Sequence, residues 1–273
     1  MSRSWDVAQG WRLENLHGSI GYNTTITAST ASNAKGGWSQ INAAITNDAY
    51  GFLFTVGMAG SAVDYLVDIG RGAAGSEIVD VSNILWSSGG SGRLNYEVIF
   101  IPLFYPAGTR VAVRCQSINA SATILVHIAG VAKGWNSFPL FGRATTYGDV
   151  TADSGGTGID PGATANTKNT PVALTASTTN PMKACLFCIG NQANAADATQ
   201  DYSADVMVGA ASAEQVQLAD LVFLGEVTGD KKATRYQYRY TDIPSGTRVS
   251  VRAQSSGVNA TDRLFDAIVI GFG

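Results

Sequence analysis

A twelve-residue phrase occurs twice in this chain and constrains its fold more than any other feature. Residues 106–117 spell PAGTRVAVRCQS and residues 244–255 spell PSGTRVSVRAQS, so only three letters differ. The similarity continues into longer segments of the chain. The matched segments are Ile26 to Gly57 with Ile159 to Gly190, and Tyr65 to Trp86 with Tyr202 to Phe223. A repeat of this length indicates two copies of one domain.

Each copy has the pattern of an all-β domain. Only 14% of the residues are charged, and runs rich in Val, Ile and aromatic residues are separated by turns rich in Gly, Ser and Asn. The strands predicted in the first copy lie near residues 38–45, 50–57, 63–69, 77–85, 95–104, 109–116 and 123–131. Those predicted in the second copy lie near 171–178, 183–190, 202–208, 214–222, 233–241, 247–254 and 263–270. Short, evenly spaced strands without helical periodicity are typical of two-sheet sandwiches.

The expected fold class is therefore all-β, with two tandem jelly-roll-like antiparallel β-sandwich domains. At 273 residues the chain is long enough for two such domains. The expected boundaries are an N-terminal arm at 1–20, a first sandwich at 21–133, a linker at 134–155 and a second sandwich at 156–273.

Strand geometry explains the repeated phrase. Val111 and Val113 fall on one face of a strand, and Arg110 and Arg114 fall on the other. The second copy repeats this arrangement with Arg248 and Arg252. We expect the arginines to pair with a carboxylate on a neighbouring strand, such as Asp68 in the first copy or Asp205 in the second. Because both copies have these residues, they indicate a structural role rather than a unique active site.

The cysteines and histidines do not form a recognisable metal or redox motif. Cys185 and Cys188 stand three apart in a predicted strand, so their side chains should point to opposite faces. Structural zinc normally needs four ligands, and the sequence has no second pair. Cys115 matches Ala253 and is interpreted as a small buried residue. His17 and His127 lack catalytic partners at a known spacing, and no phosphate-binding or nucleophile motif is present.

We therefore expect a protein without catalytic residues and without a cofactor or metal. A carboxylate pair for glycoside hydrolysis would become visible only in three dimensions, so a hydrolase stays open as an alternative. A net charge of −3 without basic runs argues against nucleic acid as a partner. The N-terminal residues lack the apolar run of a signal peptide, and no apolar stretch approaches the length of a membrane span. Synthesis in the cytoplasm without a signal peptide and without membrane insertion is the expectation.

Aromatic residues supply the candidate contact surfaces. Trp5 and Trp11 lie in the predicted arm, which has no core of its own to fill, so they are candidates for docking onto a partner. The candidates for contact with a glycan or an interface are Tyr96, Tyr105, Tyr236, Tyr238 and Tyr240. The alternating tyrosines of RYQYRYT are better explained as one packed face of a strand, with Arg235 and Arg239 on the other face.

The order DIGRGAAGSE, VSNILW and IPLFYPAGTRVAVRCQS, with its second version DVMVGAASAE, LADLVF and IPSGTRVSVRAQS, resembles surface proteins of tailed bacteriophages and phage-like particles. This resemblance implies jelly-roll domains that decorate a capsid or form a tail-fibre, tailspike or head-spike module. It also implies a homo-oligomer, with a trimer favoured, located on the virion surface.

Two functions follow as expectations from this resemblance. The first is a capsid decoration or cement protein that contacts the major capsid protein or another virion protein and stabilises the assembled shell. The second is a host-attachment module that binds surface polysaccharide. A trimer of two-copy chains would present six similar domains, which suits a position of pseudo-sixfold symmetry on a capsid.

Overall fold

A computed structural model describes residues 13–15, 24–59, 64–87, 97–131, 139–191, 200–225, 237–257 and 264–273. Within these ranges every regular element is a strand, and none of them contains a helix that could cross a membrane. The strands form antiparallel ladders in two β-sandwiches. The predicted fold class is confirmed.

The first sandwich consists of two sheets. Its strands are β1 (Leu13–Asn15), β2 (Thr24–Thr27), β3 (Ser39–Asn42), β4 (Ala49–Ala59), β5 (Asp64–Arg71), β6 (Ile78–Ser87), β7 (Glu97–Tyr105), β8 (Val111–Ser117) and β9 (Thr123–Val131). Sheet 1A has the order β1-β9-β4-β7, and β2 also pairs with β9. Sheet 1B has the order β3-β8-β5-β6. The predicted strands from 38 to 131 coincide with β3 to β9 within a few residues.

The second sandwich repeats this plan. Its strands are β10 (Ala144–Tyr147), β11 (Asp149–Val150), β12 (Gly155–Ile159), β13 (Val172–Thr175), β14 (Met182–Asn191), β15 (Gln200–Val208), β16 (Gln215–Gly225), β17 (Gln237–Ile243), β18 (Val249–Ser255) and β19 (Phe265–Phe272). Sheet 2A has the order β11-β12-β19-β14-β17, and β10 also pairs with β19. Sheet 2B has the order β13-β18-β15-β16. The two halves of the repeat therefore occupy equivalent places in equivalent sheets.

The strands alternate between the core of each sandwich and the opposite face. In the repeated phrase, Val111 and Val113 are fully buried between sheets 1A and 1B, as predicted. Tyr65 packs beside Trp86 in the first core, and Tyr202 stacks on Phe223 at the matching place in the second. Burial of these large side chains supplies most of the driving force for folding.

The outer face of sheet 1B packs against the outer face of sheet 2A. Leu186 and Cys188 join the hydrophobic cluster of the first sandwich, whereas Cys185 and Phe187 face the core of the second. The two cysteines thus point to opposite faces of β14, as the sequence predicts. The central strands β14 and β19 of sheet 2A are consequently buried on both faces, and the sandwiches share an apolar interface.

The segment predicted as a linker contains strands. Ala144 pairs with Phe272 through β10, β11 follows, and β12 begins at the last residue of the segment. The predicted arm likewise contains β1, in which Leu13 pairs with Val131. These strands are short and mostly polar, so no apolar alternation marks them in the sequence, and pairing with a neighbouring strand determines their conformation. Each copy of the repeat begins with one such strand.

Candidate functional site: ion-pair clusters and exposed sheet faces

The first ion-pair cluster is centred on Asp68 in β5, on the outer face of sheet 1B. Its carboxylate, 2% exposed, accepts hydrogen bonds from Lys35 Nζ at 2.7 Å and from Arg114 Nε at 2.8 Å. The backbone N–H of Asn83 donates a third, at 2.9 Å. Asn83 has a φ of 52°, and this left-handed residue in β6 directs its N–H toward the carboxylate. Three donors fix the orientation of Asp68 and compensate its charge.

The second cluster reproduces the first in sheet 2B. Asp205 in β15 accepts from Lys168 Nζ at 2.9 Å and from Arg252 Nε at 2.8 Å. The backbone N–H of Asp220, whose φ is 50°, donates at 2.9 Å. Arg114 and Arg252 therefore contact the carboxylates that the sequence suggested for them. The lysines and the left-handed residues were not predicted as members, although Lys35 and Lys168 occupy matched positions in the repeat.

Arg110 and Arg248 bind other carboxylates than Asp68 and Asp205. Arg110 Nη1 lies 2.8 Å from Glu77 Oε1 and also donates to the carbonyl oxygen of Gly72. Arg248 pairs with Glu214 at the equivalent place. Each arginine ties the start of one strand to the turn between the two neighbouring strands. The glutamates occupy matched positions in GSE and SAE, which is the sequence signal that identifies them.

The electrostatics of the two clusters differ. Burial lowers the pKa of the Lys35 ammonium, and the attraction of Asp68 offsets this effect only in part. Burial alone would raise the pKa of Asp205, but hydrogen bonds from the Asp220 amide, Lys168 and Arg252 bring it below its ordinary value. Lys168 also contacts the exposed Asp220 carboxylate at 3.2 Å, where the first copy has the neutral Asn83.

A polar cleft of about 390 Å³ lies beside the first cluster. Its lining includes Lys35, Arg114 and Asp80 from the first sandwich, together with Ala144 and Thr151 from the segment that begins the second. Hydrogen bonds fasten that segment across sheet 1B; they are donated by Asn83 Nδ2 to Asp149 Oδ2, by Gln116 Nε2 to the Thr151 carbonyl and by Ser154 Oγ to Asn33 Oδ1. The cleft is thus part of the junction between the sandwiches.

Tyr105 is not a surface contact, contrary to its prediction. Its side chain is 1% exposed, and its hydroxyl donates to Asp80 Oδ2 at 2.5 Å. The ring packs edge-on against Phe52, with the centroids 4.4 Å apart. Burial raises the pKa of Asp80, and the Tyr105 hydroxyl and Arg71 act in the opposite direction. Tyr105 is the last residue of β7, and strand alternation places its side chain on the same face as the buried Ile101 and Leu103.

The other aromatic candidates are placed only in part. Trp5, Trp11, Tyr96 and Tyr236 lie outside the described residues, and for Tyr238 only the position in β17 is described. Tyr240 in the same strand is 52% exposed. This tyrosine is therefore the exposed aromatic of the predicted set within the described part of the chain.

Two cysteine thiols in the described ranges are not activated as nucleophiles, and metal ligands are not grouped there. Burial raises the pKa of Cys115 to about 12 and that of Cys185 to about 12, so both thiols stay protonated at neutral pH. Burial lowers the pKa of His127. Among the residues with described positions, no three His, Cys, Asp or Glu side chains are grouped to hold a metal ion.

Apolar side chains are exposed on two sheet faces. In β16 of sheet 2B, Val222 is 60% exposed and Leu224 is 52% exposed. In β7 of sheet 1A, Val98 is 60% exposed and Phe104 is 39% exposed. Sequence reasoning missed these residues, because an apolar residue in a strand is ordinarily assigned to a core.

Comparison with known proteins shows similarity only at the level of solved structures. No protein-family model matches the chain, and no curated protein sequence matches it significantly. PNGase F, a glycosylasparaginase from Flavobacterium meningosepticum, is similar with 11% identity and a TM-score of 0.42, and 96% of each chain is covered. PNGF-II is similar with 9% identity and a TM-score of 0.39, covering 96% of this chain and 65% of that one.

A tandem CBM22 domain from Paenibacillus barcinonensis Xyn10C is similar with 13% identity and a TM-score of 0.27, covering 96% of this chain and 91% of that one. Likeness at these levels carries no argument about function. The assignment of two β-sandwiches rests on the strands and sheets of this chain.

Proposed function

We propose that the protein is a non-enzymatic structural protein of a virion surface, which decorates a capsid and stabilises the assembled shell as a symmetric oligomer. The observation that carries the proposal is the contrast between its polar and its apolar groups. The carboxylates Asp68 and Asp205 are each engaged by three donors at equivalent sheet positions, as expected of structural groups. Apolar side chains such as Val222 and Val98 are instead exposed on sheet faces, where they favour assembly.

The mechanism in this proposal is mechanical. Because the two sandwiches share an apolar interface, each chain presents two similar sandwiches as one unit. An oligomer of such bodies would lie across boundaries between shell subunits, so that shell rupture first has to break several of its contacts. Binding only to the assembled state stabilises that state by mass action, and several linked contacts strengthen the effect.

Cryo-electron microscopy of purified particles, together with particles that lack the protein, tests this proposal. We expect density on the capsid and a lower temperature of genome release from particles without the protein. Density confined to the tail would refute capsid decoration. Absence of the protein from purified particles would refute a virion function altogether.

A host-attachment module that binds surface polysaccharide is the second candidate. Tyr240 favours it, because an aromatic ring exposed on an edge strand can stack on a sugar. A pull-down with host polysaccharide tests it, with Tyr240→Ala as the binding variant and Tyr105→Phe as the matched control at a buried ring. Equal binding by both variants, or no binding by the wild type, would refute this candidate. Release of reducing sugar would instead support a hydrolase.

A further inference from the structure

The interface between the two sandwiches uses a defined patch of sheet 1B. This patch, here called the first docking face, consists of Asp64, Leu66, Leu85 and Ser87, paired side by side on the outer face of β5 and β6. All four are buried, and both leucines are completely inaccessible. Gly190 of β14 lies against the face, since a Cβ atom there would approach Leu85 Cδ2 and Asp64 Oδ2 to 2.8 Å.

The second sandwich has the same patch at the equivalent place. Asp201, Ser203, Val222 and Leu224 occupy the matched positions of the repeat and form the same pairs between β15 and β16. The left-handed residues Asn83 and Asp220 precede Leu85 and Val222 at the same distance and confirm the register. In this second docking face, Val222 is 60% exposed and Leu224 is 52% exposed. The position that carries the internal interface in one sandwich is thus an open surface in the other, with two exposed apolar side chains beside Asp201 and Ser203.

The surface that covers the first docking face also has an equivalent. Leu186, Cys188 and Gly190 on β14 match Leu53, Thr55 and Gly57 on β4, and sheets 1A and 2A have corresponding strand orders. Leu53 and Thr55 are only half-buried, although Leu186 and Cys188 are fully covered by the first sandwich. The neighbouring β7 adds the exposed Val98 and Phe104 to this face of sheet 1A. The internal interface is formed by two surfaces, and the chain has an equivalent of each. These equivalents, on the outer faces of sheets 1A and 2B, lie at opposite ends of the molecule.

We propose that the second docking face of one chain packs on the outer face of sheet 1A of a second copy, which repeats between chains the contact between the sandwiches. This rests on the proposed function, because it specifies how the oligomer of that proposal is built. The contact joins two different surfaces, so it is heterologous and propagates head to tail. Rings and filaments are the assemblies that such a contact produces, and a ring of three chains places six sandwiches in succession.

Disulfide trapping tests this geometry directly. Thr55 is equivalent to Cys188 and Val222 to Leu85, so the double variant T55C/V222C places two cysteines at opposite sides of the proposed contact. The three native cysteines are buried, and the wild type, which contains only these, gives the background level of crosslinking. Under mild oxidation we expect the double variant to form covalent dimers and higher species, and each single variant to stay uncrosslinked. Efficient crosslinking of V222C alone would show that two second docking faces meet each other, which would overturn the head-to-tail contact.

Charge substitution provides an independent measurement of the same contact. In V222D/L224D the apolar patch becomes acidic, and we expect at least about a hundredfold weaker self-association by light scattering or sedimentation. Ile78→Lys is the matched control, because Ile78 is 65% exposed on the equivalent edge strand but lies outside both surfaces. Circular dichroism establishes that each variant is folded.

A wild-type chain that stays at 28.5 kDa at every concentration, or equal effects of the control and the double variant, would overturn the inference. Neither outcome bears on whether the protein is found in virions. The failure of this contact and the failure of the proposed function are therefore distinguishable.

Discussion

Replacing the central carboxylate of each ion-pair cluster should have unequal effects on stability. Asp68→Asn leaves Lys35 and Arg114 facing a neutral group, in a place where burial already lowers the pKa of Lys35. Breaking a buried ion pair costs about 3–5 kcal/mol, and because both cations retain some exposure we expect about 3 kcal/mol. Asp205→Asn leaves Lys168 with Asp220 at 3.2 Å and with Ser203 Oγ at 2.8 Å. We therefore expect only about 1–2 kcal/mol for the second cluster.

Urea unfolding at neutral pH measures this difference through the midpoint and slope of the transition. The double variant D205N/D220N provides the matched control. In it, residue 220 of the second cluster is a neutral Asn, as residue 83 is in the first cluster. Its cost should exceed the sum of the two single costs and approach that of D68N. A cost for D205N equal to or above that of D68N would refute this reasoning. Strict additivity in the double variant would refute the role given to Asp220.

Three further predictions concern single residues. Gly190→Ala introduces a methyl group that meets Leu85 at 2.8 Å, so we expect a loss of about 1–3 kcal/mol and faster proteolysis between the sandwiches; an unchanged urea midpoint would contradict this. Tyr105→Phe removes a donor to the half-buried Asp80 and should cost about 1–2 kcal/mol in the same assay, and a gain in stability would contradict it. Because the pKa of Asp205 is lowered in the folded state, its contribution is present above the unfolded pKa of about 3.9 and is lost as the pH falls through the folded value. Asp205→Asn should therefore reduce the loss of stability on acidification to about pH 3, and an identical acid dependence would argue against this role.

The sequence predicts most of the fold because the repeat and the strand periodicity are local signals. Val111 and Val113 alternate with Arg110 and Arg114, and this alternation alone assigns their faces. The pairing of Arg114 with a carboxylate on the adjacent strand follows from the same register. Local periodicity does not specify which of several carboxylates an arginine reaches, and Arg110 accordingly binds Glu77 rather than Asp68.

The strands of the predicted linker cannot be predicted from local sequence patterns. β10 has the sequence ATTY, which offers no apolar alternation, and it is a strand because β19 supplies a partner for its backbone. Tyr105 is a second case: an aromatic residue beside a turn is compatible with both exposure and burial. Its burial follows from the position of Phe52 on the neighbouring strand β4 and of Asp80 on the opposite sheet, which the sequence does not reveal.

The sequence nevertheless distinguishes sheet 2A, which is covered on both faces of its central strands, from sheet 1A. β14 contains the run ACLFCI and β19 is buried along its whole length, a pattern expected of a sheet that is covered on both faces. In β4 and β9 the outward positions hold Thr55 and His127 instead, and β9 alternates between buried and half-buried residues.

These sequence patterns imply different kinds of contact for the two sheets. Sheet 2A is built for a permanent apolar contact inside the chain, whereas sheet 1A combines polar groups with the exposed Val98 and Phe104. A surface of this mixed kind suits a partner that arrives after folding, since it must also tolerate water before assembly. The second docking face, with Val222 and Leu224 beside Asp201 and Ser203, has the same mixed character. In the proposed head-to-tail contact, the outer faces of sheets 1A and 2B would form a weaker version of the interface that joins the two sandwiches of one chain.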